Sequence, residues 1–152
     1  MDMERGWRGD ASEALVAADI LRNGHGVAYP HGHEQKYDLI IDVEWGLLRV
    51  QIKTASEYDN YRYELEIDPE RYPDGSVDIF AGAIHEEGTA IYVPAHEMEK
   101  TQRVNFNPPE EMPSDWHRER ANLPREFSLD EALLEIQEDL ASHSALNVEV
   151  GS

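Results

Sequence analysis

The chain has 152 residues, enough for one domain with a continuous apolar core and no need of metal or disulfide staples. It contains no cysteine, which excludes a disulfide framework and thiolate chemistry, and its 13 Lys and Arg against 32 Asp and Glu leave a formal net charge of −19. No apolar run approaches the roughly 18 residues that a membrane span requires, and residues 1–8 are too polar for a signal peptide, so a cytoplasmic protein is the expectation.

Only Lys36, Lys53 and Lys100 are lysines, and acid is spread over every segment. Such a surface either repels polyanions or suits concentrated salt, where screening acts over roughly 3 Å at 1 M. The even spread favours salt, and a halophilic source is expected.

Residues 10–22 have helical spacing, with Ala14, Ala17, Ala18 and Leu21 on one stripe, Leu15 and Ile20 beside it, and Asn23-Gly24 as a stop. Glu13 shares a face with Val16, Ala17 and Ile20. Taken by itself, Asp10-Ala11-Ser12-Glu13 has the form of a capping box, with Glu13 reaching back to the Asp10 amide. A short extended run at 27–30 then leads to His31-Gly32-His33-Glu34-Gln35-Lys36. That loop is too poor in ligands for a closed zinc site and is expected to face solvent or substrate.

Residues 37–54 form the most informative stretch. Leu39, Ile41 and Val43 alternate with Asp38, Ile40 and Asp42, and Leu48, Val50 and Ile52 alternate with Arg49, Gln51 and Lys53. A hairpin turning at Glu44-Trp45-Gly46, with Ile41 opposite Leu48, sets Leu39 opposite Val50 and Asp38 opposite Gln51, with Lys53 one pleat further on. Three polar side chains thus gather at one end of an apolar frame, in a register that a one-residue slip would destroy.

The tyrosines Tyr58, Tyr61, Tyr63 and Tyr72 are expected to pack at a domain edge, around a short strand at 63–67. Residues 77–84 and 89–93 read as a buried strand and its hairpin partner, 94–99 as a helical turn, and 103–106 as an edge strand. Pro108, Pro109, Pro113 and Pro124 mark an irregular segment. Ser128-Leu129-Asp130-Glu131 then opens a helix to about Ala141, with Leu129, Leu133, Ile136 and Leu140 on one side. The expected organisation is a core at 1–106, a Pro-rich segment at 107–127, and a C-terminal helix and tail at 128–152 that pack on the core or a sister subunit.

The strings Gly9-Asp10-Ala11-Ser12-Glu13, Lys36-Tyr37-Asp38-Leu39-Ile40-Ile41-Asp42 and Arg49-Val50-Gln51-Ile52-Lys53-Thr54-Ala55 resemble the PD-(D/E)xK nuclease superfamily. They are most similar to the branch exemplified by a cyanobacterial group I intron-encoded homing endonuclease, where glutamine also stands in place of an acid. Val77-Asp78-Ile79-Phe80-Ala81 and Ala90-Ile91-Tyr92-Val93-Pro94 look like later strands of that branch. The resemblance spans roughly residues 9–106, and it favours a functional Glu13 over a capping one.

It implies an α/β, restriction-endonuclease-like core, a central mixed sheet flanked by helices, with a C-terminal helical extension. It also implies a catalytic set of Glu13, Asp38, Gln51 and Lys53. Asp38, Gln51, the Ile52 backbone carbonyl and Glu13 would hold Mg²⁺, for which Mn²⁺ can substitute, while Lys53 orients the attacking water. Tyr37 replaces the proline of the superfamily's name without chemical consequence, whereas Gln51 removes a negative charge and should weaken metal binding. The implied activity is cleavage of double-stranded DNA by a homodimer or higher homo-oligomer. The alternatives are a Holliday-junction resolvase acting on branched DNA and, in another class, a non-catalytic nucleic-acid-binding module.

Overall fold

The computed structural model describes the backbone of residues 5–32, 34–59, 62–106 and 122–150, with side chains from 6 to 144 among them. In order, the elements are α1 (Arg5–Arg22), β1 (Gly26–Ala28), β2 (Leu39–Val43), β3 (Gly46–Thr54), β4 (Ser56–Asp59), β5 (Arg62–Glu66), β6 (Ile79–Ile84), β7 (Thr89–Pro94), β8 (Thr101–Asn105) and α2 (Leu129–Val150). Short 3₁₀ turns at Pro69–Arg71 and Pro124–Phe127 join them.

A five-stranded mixed sheet in the order β1-β2-β3-β6-β7 is the centre, with β3 and β6 parallel and the other pairs antiparallel. Strand periodicity divides its two faces. Leu39, Ile41, Leu48, Val50, Ile52, Ile79, Ala81 and Tyr92 pack with Val16, Ala17 and Ile20 of α1 and with Leu129, Ala132, Leu133 and Ile136 of α2. Phe80, Ile84, Ile91 and Val93 cover the other face, against Tyr63, Leu65 and Val104. Tyr63, Leu65 and Val104 belong to a separate three-stranded sheet, β4-β5-β8. The layers are therefore helices, large sheet and small sheet.

Gly82 marks where the sheets come closest. A Cβ there would lie 3.1 Å from Ile91 Cγ1 and 3.3 Å from Leu65 Cδ1, so a bare backbone lets β5 settle over β6.

The hairpin register matches the sequence pattern, Ile41 opposite Leu48 and Leu39 opposite Val50, around a Glu44-Trp45 turn. Several expectations need correction. α1 begins at Arg5, so Asp10 lies inside the helix and cannot cap it; glycines at 6 and 9 and a lone, exposed apolar residue, Trp7, hid that first stretch. The buried stripe is Ser12, Val16, Ala17 and Ile20, while Leu21 is exposed. β6 starts at Ile79 rather than residue 77, because Asp78 turns its carboxylate onto Arg49: the Arg49 amide donates to Oδ2 at 2.8 Å and its guanidinium grips both oxygens. β8 begins two residues before the expected edge strand and pairs with β5, Tyr63 opposite Val104.

The C-terminal helix continues to Val150, past Ala141. Ser128 caps it, its Oγ accepting the Glu131 amide at 3.2 Å, and Leu129, Leu133 and Ile136 are buried as expected, with Leu140 left exposed. These residues join the same cluster as α1, so α2 is part of the core. The prolines at 108, 109 and 113 lie outside the described residues, as do His33 and Tyr61. Of the other tyrosines, Tyr63 meets Phe106 edge-on and Tyr72 meets Phe80, while Tyr58 lies exposed beneath Arg62 and Arg103.

Candidate functional site

Asp38 stands immediately before β2 begins. Its amide donates to the Val50 carbonyl at 2.8 Å, and its carboxylate Oδ2 accepts the Ile52 amide at 2.9 Å. The side chain therefore occupies the place of the next rung of the ladder, and the carboxylate lies at the strand edge between the two faces. Within a strand the N–H and C=O of one residue point to the same neighbour, so the Ile52 carbonyl is carried to this same edge.

Glu13 approaches from the helix side. It sits one position after the buried Ser12, and its charge interacts with that of Asp38. Ile52 is buried toward α1 and Lys53 alternates with it, so Lys53 and Gln51 lie on the opposite face, one pleat apart, aligned with Gly82 and Phe80 of β6. Lys53 is near enough to Asp38 to stabilise its charge. Asp38 thus links Glu13 above the sheet to Lys53 below it.

The electrostatics are those of anionic groups held close in a partly dry place. Burial raises Asp38 above the ordinary carboxylate range, opposed by the Ile52 amide and the Lys53 charge. Glu13 is also raised, first by burial, then by repulsion from Asp38 and Asp10. Among the described residues no three acidic or imidazole side chains gather as a metal-holding group.

Below the sheet, Lys53 opens into a cleft of about 580 Å³ whose walls also include Glu66, Asp68, Arg71 and Lys100. Asp68 is engaged locally, accepting the Glu70 amide at 3.1 Å. Two of the three lysines in this acidic chain therefore meet in one cleft.

The sequence pattern did not single out Ser12, Thr54 or His85. The buried Ser12 hydroxyl lies 2.5 Å from Thr54 Oγ1 and 2.8 Å from His85 Nε2. Their one sequence signal was position, Ser12 and Thr54 being the immediate neighbours of Glu13 and Lys53. Elsewhere on α1, Tyr92 donates to Asp19 Oδ2 at 2.6 Å and pins the helix to β7.

Comparison with known proteins bears on the family and the fold. A model of the PD-(D/E)XK endonuclease family matches residues 3–130. Protein 5.3 of Escherichia phage T7 is 31% identical over 90 residues, covering 55% of this chain and 76% of that protein. Among solved structures, the bacterial homing endonuclease I-Ssp6803I superposes with a TM-score of 0.68 at 19% identity, over 95% of this chain and 99% of that one, and so shares its fold. With a family match running from α1 into the start of α2, and the motif residues at the edge where β2 meets β3, the chain belongs to the PD-(D/E)XK endonuclease family.

Proposed function

We propose that this chain is a Mg²⁺-dependent endonuclease that hydrolyses phosphodiester bonds of double-stranded DNA, in the manner of a homing endonuclease. The observation that carries the reading is the Asp38 carboxylate held on the Ile52 amide, with Glu13 on one side and Lys53 on the other. Asp38, Glu13, the Gln51 side-chain oxygen and the Ile52 carbonyl are the groups that would hold the cation. When bound, it supplies neutralisation of the phosphate charge and a more acidic water.

The chain's own groups do the rest. Lys53 directs the attacking water and counters charge growing on the phosphate, a positioning role suited to phosphoryl chemistry. Gln51 contributes a neutral oxygen. The cleft beyond Lys53, with Arg71 and Lys100, gives the strand a path for its backbone. Cutting both strands of a duplex calls for two such sites, so a two-fold oligomer working in the cytoplasm is part of the proposal. A halophilic setting fits the net charge of −19.

The weak charge of the donor set favours one other reading, a DNA-binding module on a nuclease fold that does not cut. Incubation with linear duplex, plasmid and four-way junction DNA, with Mg²⁺ or EDTA and across a salt series, separates the readings. We expect Mg²⁺-dependent cleavage of linear duplex, slowed at least about 100-fold in Lys53→Met. Cleavage confined to the junction would instead indicate a resolvase. Undiminished cutting by Lys53→Met, or no metal binding at any salt, would count against the endonuclease reading.

A further inference from the structure

Ser12 is the one buried polar residue among those described, at 1% exposure, on a helix face otherwise given to Val16, Ala17 and Ile20. Its hydroxyl carries one proton to donate and two lone pairs that accept, so it can serve two partners at once, accepting from both or donating to one and accepting from the other. Thr54 Oγ1 at 2.5 Å and His85 Nε2 at 2.8 Å are those two partners. The three residues come from three elements: Ser12 from α1, Thr54 from the end of β3, and His85 from the first position after β6.

Apolar side chains could hold a helix on a sheet equally well and without the cost of burying a hydroxyl. Hydrogen bonds add direction, since they fix the rotation and axial position of α1 in a way that dispersion contacts do not. The residues fixed are telling, because Ser12 immediately precedes Glu13 and Thr54 immediately follows Lys53. β3 and β6 are already in register beside them, Thr54 opposite Ala83.

We propose that the Ser12 hydroxyl, anchored by His85 and joined to Thr54, is a positioning element that sets Glu13 and Lys53 at the distance the nuclease site requires. His85 is then a positioning residue 73 positions away from Ser12 in sequence, with no contact to substrate. The inference rests on the endonuclease reading and sharpens it by naming what holds the two faces of the site in alignment.

The test uses His85→Leu, which removes the anchor, and His85→Gln, whose amide can restore a partner at the Nε2 position. Ser12→Ala and Thr54→Val serve as second variants if His85→Leu does not fold. Three readouts are taken: thermal melting, Mn²⁺ affinity by calorimetry without DNA, and single-turnover cleavage at saturating metal. We expect a folded His85→Leu protein with Mn²⁺ affinity weakened roughly 10-fold, as for other groups that orient ligands. Its cleavage step should slow by roughly 100-fold, the cost of a misplacement near 1 Å, with little change in KM. His85→Gln should recover most of both.

A folded His85→Leu variant with wild-type Mn²⁺ affinity and wild-type rate overturns the proposal, as does loss of melting temperature with affinity and rate unchanged. If the wild-type chain binds Mn²⁺ but cuts nothing, the endonuclease reading fails, and the calorimetric comparison still decides whether His85 positions the site.

Discussion

The proposed chemistry turns on Gln51. Burial already raises Asp38 and Glu13, and Glu13 is raised further by Asp38, so a third carboxylate would add repulsion that only a cation could offset. On the proposed function, an amide relieves the repulsion and weakens the hold on the cation. Gln51→Glu should therefore bind Mn²⁺ more tightly, by roughly an order of magnitude given how ligand charge tunes such sites. Calorimetry without DNA measures it, and an unchanged affinity would mean that side chain 51 does not face the ion. Asp38, Gln51 and Lys53 were legible in the sequence because they interrupt an apolar alternation within one hairpin. Ser12 and His85 were not, since a hydrogen bond across 73 positions leaves no period to read.

Among the elements, β2 and β3 could be drawn with their register because a two-residue turn leaves one way to bury both apolar sets. α1 was readable only from its apolar stripe, and its first five residues offer only the exposed Trp7. α2 has a charge feature that makes its docking testable. Burial, and then the Glu97 carboxyl that shares a hydrogen bond with it, push Glu135 up to about 7. A carboxyl raised in the folded state favours folding in its protonated form. Its contribution is therefore complete below the unfolded value of 4.5 and is lost as pH rises through about 7. The melting temperature should fall across that window, and Glu135→Gln, which keeps a donor toward Glu97, should flatten the fall. Because the general repulsion of an acidic chain also grows with pH, the comparison of the two profiles is decisive. Parallel profiles would show that the pair is not buried enough to matter.

At the scale of the whole molecule, residue parity revealed a sheet with two covered faces but not what covered the second one. β5 pairs with β8 some forty positions along, Tyr63 with Val104, and only the bare backbone at Gly82 hints that another sheet lies close. That small sheet and the loop after β5 build the cleft where Arg71 and Lys100 join Lys53, so the cations gather by tertiary structure rather than in any basic run. Two opposing salt effects follow. Screening relieves repulsion between a chain of −19 and a polyanion, strengthening association as salt rises from a low level. Counterion release from each phosphate contact weakens it, with a slope of about −0.9 per contact in log affinity against log salt. Duplex binding by a Lys53→Met protein in Ca²⁺ should pass through an optimum in salt. Arg71→Ala and Lys100→Ala should each make the falling limb shallower by about 1. Removal of the exposed Lys36, which does not line the cleft, should leave that limb unchanged. Equal slopes for all three variants would mean that the cleft does not carry the backbone, and that the strand reaches Asp38 by another path.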